Sequence, residues 1–305
     1  MSAPIVAAYD PFHEDRAPVA LALAAGELTG APVLAVAVAP AVLTQGWADA
    51  QPLHDEIDAI TERALSALHA DLGVETRMVS DVSVPRALHV LAEELGPRLL
   101  VVGSTTRALL GRVLPGSTAE RLIAGASCPV ALAPRGYERR PIQTVAVGFA
   151  ETPEGHAALE AGHALARRAG ATLRVIAAVH PAGALDTAFA QGTPPLRGIA
   201  LEGHARSEHQ AVLAAAVDAL PDGVTVEQEL HVDDPADVLL RASAHVDVLV
   251  CGSRGYGPVR SLLLGGVTRR VLSAAHCPVL VLPRGVGFDS QALAGEAAAG
   301  AAAAT

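Results

Sequence analysis

The chain has 305 residues, a formal net charge of −10, and only 3% aromatic residues, and all 22 of its Lys/Arg positions are arginine. An acidic chain without a basic stripe is a poor partner for nucleic acid or an anionic membrane surface, and without lysine it has neither a P-loop lysine nor a Schiff-base nucleophile. No apolar run reaches the roughly 20 residues of a membrane span; the opening MSAPIVAAYD lacks a signal-peptide pattern, so a cytoplasmic protein is expected.

The first apolar run, Ile5–Tyr9, ends at Asp10-Pro11. Helical spacing follows through Val19, Leu23 and Leu28 and stops at Gly30. Residues 33–38 read as a second strand. Ile57, Ile60, Leu65, Leu68 and Leu72 mark one face of a long helix. Then come a strand at 75–79, a helix at 85–94, a buried strand at 99–102, a helix at 116–126 and a strand at 130–133. Charged residues and a proline at 137–141 separate this stretch from a second one with the same order. That copy has strands at 144–148, 173–179, 224–230, 248–251 and 279–282. Its helices are at 154–168, 202–220, 236–245 and 268–275. Strands alternating with helices predict parallel α/β sheets with helices on both faces. The ligand crevice of such a sheet opens at the carboxyl ends of its strands. The expected domains are 1–138 and 141–288, with an Ala/Gly-rich tail at 289–305. Residues 180–198, rich in Pro and Gly, form either a surface loop or a lid over the crevice.

One segment is written twice. Residues 101–136 read VVGSTTRALLGRVLPGSTAERLIAGASCPVALAPRG, and residues 250–285 read VCGSRGYGPVRSLLLGGVTRRVLSAAHCPVLVLPRG. Gly252 stands 149 residues after Gly103, and the spacing holds throughout the segment. Each copy starts at a buried strand's end and finishes at a helix N-terminus. Glycine admits a phosphate close to the backbone, the helix end offers orphan N–H groups, and Ser117, Thr118 or Thr268 can add a hydroxyl. The pattern points to a phosphate-bearing ligand, or else the glycines serve only tight turns and close helix–strand packing. Cys128, Cys251 and Cys277 lack a CxxC spacing and read as reduced core cysteines.

This combination of glycine loop, strand–loop–helix context and trailing Cys-Pro-Val strand, present twice, resembles the universal stress protein family in its tandem form. The resemblance implies, in each domain, a five-stranded parallel sheet of order 3-2-1-4-5. It also implies ATP or a related adenine nucleotide as ligand, with Mg2+ alongside, and a role in stress adaptation. The family pattern G-x2-G-x9-G-[S/T] and its strand-1 acid carry over unevenly. The first copy has Asp10, Gly103, Gly116, Ser117 and Thr118, with Thr106 in place of the second glycine. The second has Gly252, Arg254, Gly255 and Gly265, with Gly266, Val267 and Thr268 after them and Ala150 where the acid would stand. Val38 and Val179 match the strand-2 backbone contact to the base. Arg107 and Arg254 either neutralise phosphate or are solvated loop charges. The resemblance further implies antiparallel pairing of fifth strands, as an intramolecular pseudo-dimer or a homodimer.

The twelve histidines are scattered and no carboxylate or cysteine completes a metal set, so no metal site is expected. His231, Asp233, Asp234 and Asp237 read as helix capping. The expected role is a regulatory nucleotide-binding module with a protein partner that the sequence does not identify. A slow ATPase on the same scaffold and a nucleotide-free interaction scaffold are the alternatives.

Overall fold

The computed structural model describes residues 3–13, 15–41, 51–179, 198–253 and 264–283, without the side chains of 198–205. The chain divides into two compact units between Arg140 and Pro141.

In the first unit the elements are β1 (Ile5–Tyr9), α1 (Ala17–Thr29), β2 (Val33–Pro40), α2 (Gln51–Leu72), β3 (Glu75–Asp81), α3 (Val84–Leu95), β4 (Leu99–Gly103), α4 (Ser117–Gly125) and β5 (Val130–Ala133). All strand pairs are parallel, in the order β3-β2-β1-β4-β5. The inner strands are nearly continuous apolar runs because helices cover both their faces. Right-handed crossovers put α1 and α2 on one face and α3, packed on α4, on the other. The edge strand β3 carries Glu75, Arg77 and Asp81 among its seven residues, which discourages a further strand from adding there.

The second unit repeats the plan with β6 (Thr144–Phe149), α5 (Pro153–Ala169), β7 (Thr172–Val179), α6 (Gly198–Asp218), β8 (Val226–Val232), α7 (Pro235–Ser243), β9 (Val248–Gly252), α8 (Gly266–Leu272) and β10 (Val279–Leu282). Its strands are also parallel, in the order β8-β7-β6-β9-β10. The core between α5 and the sheet is built of small residues, and the contact is close. A Cβ on Gly162 would stand 2.2 Å from Val147 Cγ2. On edge strand β8, Glu229 accepts from Arg174 of β7 at 2.6 and 2.8 Å.

Candidate functional site

In each unit the chain order reverses between the first and fourth strands, so their carboxyl ends frame the crevice. In the first unit β1 ends at Tyr9, and Asp10 starts a tight turn. Its Oδ1 accepts from the Phe12 N–H at 3.0 Å, and its Oδ2 lies 2.6 Å from His13 Nδ1. The connection runs on to Asp15, which accepts from Ala17 N–H at 2.9 Å and from Gly136 N–H, just past β5, at 3.3 Å. Since β4 lies between β1 and β5, this connection crosses the carboxyl end of β4, where the glycine loop begins.

The loop from Gly103 to Gly116 is held by its own hydrogen bonds. Ser104 Oγ donates to the Ala133 carbonyl at 2.7 Å and accepts from Leu114 N–H at 3.2 Å. Arg135 Nη1 donates to the carbonyls of Thr106 and Ala108, each at 3.0 Å. Gly111, at φ 71°, donates to the Arg135 carbonyl. Thr106 is therefore accommodated without a left-handed backbone, and Arg107 is exposed beside it. Gly116 precedes α4 in extended conformation, and no side chain caps the helix. The first N–H groups of α4 lack intrahelical partners. Ser117 is exposed and Thr118 half-buried next to them. Gly103 has a packing role as well, since a Cβ there would stand 2.9 Å from Pro18 Cγ of α1.

Val38 is 7% exposed. Ile5 N–H donates to the Pro32 carbonyl, and continuing the parallel alternation brings the Val38 carbonyl opposite residue 11. Residue 11 is proline, which has no N–H, so the ladder leaves that carbonyl open at the strand end.

The second unit shares the uncapped glycine start of its last helix, α8 behind Gly265, and differs at the other strand ends. Val145 and Leu173 pair as Ile5 and Val33 do, an offset of 140 residues. The counterpart of Val38 is therefore Ala178, not Val179, and the Val179 carbonyl is already taken by Asp233 N–H at 3.1 Å. Ala150 stands where Asp10 does. Its carbonyl accepts from Thr152 N–H at 2.7 Å, and the Thr152 side chain caps α5 by accepting from Gly155 N–H at 3.0 Å. As a result α5 starts about one helical turn earlier than α1 on the same register. That turn closes over β9: a Cβ on Gly252 would meet the Glu154 carbonyl oxygen at 2.8 Å.

Thr268 is not the free hydroxyl expected from the sequence. It is 4% exposed, and its Oγ1 donates to the Gly252 carbonyl at 2.8 Å. It occupies the inward position held by Ala119 in the first unit, so its hydroxyl finds the strand end rather than the crevice. Gly265 N–H donates to the Ser253 carbonyl at 2.8 Å, Gly266 is exposed with open space where a Cβ would be, and Val267 is half-buried. Arg254 and Gly255 lie outside the described residues, as does the 180–198 segment up to the start of α6 and the tail.

Away from the crevice the acidic cluster caps α7. Asp234 accepts from Ala236 and Asp237 N–H groups, and Arg270 of α8 bridges Asp234 and Asp237 at 2.7 Å each. The Arg241 guanidinium holds the Asp233 carboxyl below its usual range. Burial pushes the thiols of Cys128 and Cys251 up, to about 11 and about 12. No three metal-ligating side chains converge among the described residues. Sequence reasoning passed over Ser104, Arg135 and Asp15, which hold the loop in shape. Ser104 and Arg135 both recur in the second copy, as Ser253 and Arg284, and that recurrence was the available signal.

A family model described as "Universal stress protein family" matches residues 1–134 and again 141–283. The universal stress protein Rv2005c of Mycobacterium tuberculosis H37Rv is 31% identical over 223 residues, 72% of each chain. The universal stress protein MT2382 of M. tuberculosis CDC 1551 is 29% identical over 213 residues, 66% of this chain and 69% of its own. Among solved structures, a universal stress protein from Archaeoglobus fulgidus DSM 4304 shares the fold, with a TM-score of 0.68 over 93% of this chain and 100% of that one, at 18% identity.

Proposed function

The chain belongs to the universal stress protein family, and we propose that its first unit binds one adenine nucleotide, with ATP the leading candidate, as a regulatory module of a stress response. The observation that carries this reading is the uncapped start of α4. Its orphan N–H groups, with Ser117 and Thr118 beside them, stand at the end of a loop already fixed by Ser104 and Arg135. A helix N-terminus with a positive dipole end is suited to phosphate. The open Val38 carbonyl and the Asp10 carboxylate, at the ends of neighbouring strands, suit the base and sugar. A Mg2+ ion would be carried on the phosphates.

Three features support leaving the second unit without nucleotide. Ala150 offers no acid, the first turn of α5 closes over Gly252, and the Thr268 hydroxyl is spent on the Gly252 carbonyl. The reading is tested by releasing small molecules from freshly purified protein for mass spectrometry and by calorimetric titration of the stripped protein with MgATP. One site per chain is expected. Two equal sites would refute the asymmetry, and no binding at all would favour the interaction-scaffold alternative.

A further inference from the structure

We propose that His13 is a positioning residue for the nucleotide's sugar: it locks Asp10 in the one orientation that can read the ribose hydroxyls. The inference rests on the nucleotide-binding reading of the first unit and assigns a new residue within it. The carboxylate is acceptor-only, so the 2.6 Å contact places the hydrogen on His13 Nδ1, which donates to Asp10 Oδ2. Phe12 N–H holds the other oxygen at 3.0 Å. The backbone closes the same turn, with His13 N–H donating to the Asp10 carbonyl at 3.3 Å. Both side chains are about half exposed, 48% for His13 and 57% for Asp10. An exposed aspartate without such partners samples several rotamers, and a ligand must then order it on binding. Here the carboxylate is fixed before the ligand arrives, and each oxygen keeps lone-pair capacity for a further donor.

The two copies within the chain give a second, independent observation. On the offset of 140 residues that the strand registers set, Asp10 corresponds to Ala150 and His13 to Pro153. The acid and the histidine are therefore lost together. In their place the chain starts α5 early, with Pro153 in its first turn. An open turn leaves one helical turn unformed in the first unit, and the Asp10–His13 pair is what that turn displays.

The test compares affinities for MgATP, 2′,3′-dideoxy-ATP and inorganic tripolyphosphate in the full chain and in two variants, His13→Ala and His13→Asn. The Asn amide nitrogen stands where the ring Nδ1 does. His13→Ala should bind MgATP about three- to tenfold more weakly, the range for losing an exposed hydrogen bond to a charged group. Its preference for ATP over the dideoxy analogue should collapse toward unity, its tripolyphosphate affinity should be unchanged, and His13→Asn should restore the preference. A purely structural role would weaken all three ligands alike, and that result would overturn the proposal. So would an unchanged preference in His13→Ala, or a wild-type protein that binds ATP and its dideoxy analogue equally. If the wild type binds neither ATP nor tripolyphosphate, the nucleotide reading itself fails and takes the sugar-reading role with it.

Discussion

Replacing Gly116 by Glu should separate stability from binding in the first unit. The backbone tolerates the change: Gly116 sits at φ −85° and ψ 172°, which any residue adopts. A Cβ there meets only Thr105 Cγ2, at 3.1 Å, a methyl that can shift by a few tenths of an ångström. A carboxylate at the start of α4 is favoured by the helix dipole by about 0.3–1 kcal/mol, so the fold should hold or gain slightly. A phosphate at the same helix end would meet that carboxylate. At about 5 Å and an effective dielectric of about 20, each pair of unit charges repels by ~3 kcal/mol. Solvent screening at this half-exposed position reduces the net effect to about 1.5–3 kcal/mol, or roughly 10- to 100-fold in affinity. Calorimetric titration with MgATP gives the affinity, and a thermal melt of the same samples checks the fold. Gly265→Glu, the corresponding change in the second unit, should leave the affinity unchanged. Unaltered binding in Gly116→Glu, with a normal melt, would refute the assignment of α4 as the phosphate site. Loss in Gly265→Glu instead would move the site to the second unit.

Thr268→Val keeps the side-chain shape but leaves the Gly252 carbonyl without its buried donor, so the second unit should lose about 1–3 kcal/mol in urea unfolding with nucleotide affinity unchanged. A loss of affinity without destabilisation would return the hydroxyl to the ligand. His163 is 4% exposed and donates from Nε2 to the Pro221 carbonyl at 2.9 Å. Burial holds its pKa below the usual value, Arg167 adds to this, and the Pro221 carbonyl opposes it. The unfolded chain therefore binds this proton more readily than the folded one. The stabilising contribution is complete above about pH 6.5 and is lost as pH falls from there through the lower folded value. The urea midpoint of the wild type should accordingly fall more between pH 7 and pH 5 than that of His163→Gln; equal slopes would refute the sign.

The fold was legible because two periodicities agree everywhere the chain needs them. Runs such as Ile5–Tyr9 and Val248–Gly252 are too apolar and too short for anything but buried parallel strands, and Gly30, Gly96 and Gly170 end their helices at positive φ. The glycine loops were legible as a pair, because a spacing of 149 residues without slippage makes accident improbable. Three features of the site were not legible, each for a geometric reason. The offset between copies is 140 residues on the first two strands and 149 on the fourth, so residue type alone points to Val179, whose backbone faces β8, and not to Ala178. A sequence does not say which way the third residue of a helix points; in α8 Thr268 turns inward, onto the Gly252 carbonyl. The early start of α5 agrees with the helix expected at 154–168; what the sequence did not show is that its first turn, with Thr152 as cap and Pro153 within it, lies over the strand end at Gly252.

These differences share one origin. A helix N-terminus near the strand ends either stays uncapped and open to an anion or is satisfied from within the chain, and it cannot do both. In the first unit the chain between β1 and α1 forms a tight turn rather than a helix, its carboxylates engage Asp10's own turn and Gly136, and α4 stays without a side-chain cap. In the second unit α8 likewise starts without a side-chain cap, but Thr152 caps α5, and the first turn of that helix lies over Gly252. The Thr268 hydroxyl takes the Gly252 carbonyl. Gly103 and Gly252 are glycines in both units because a helix comes too close for a Cβ, against Pro18 in one and the Glu154 carbonyl in the other. A glycine at that position therefore records close packing, and ligand binding has to be read from what stands over the strand ends around it.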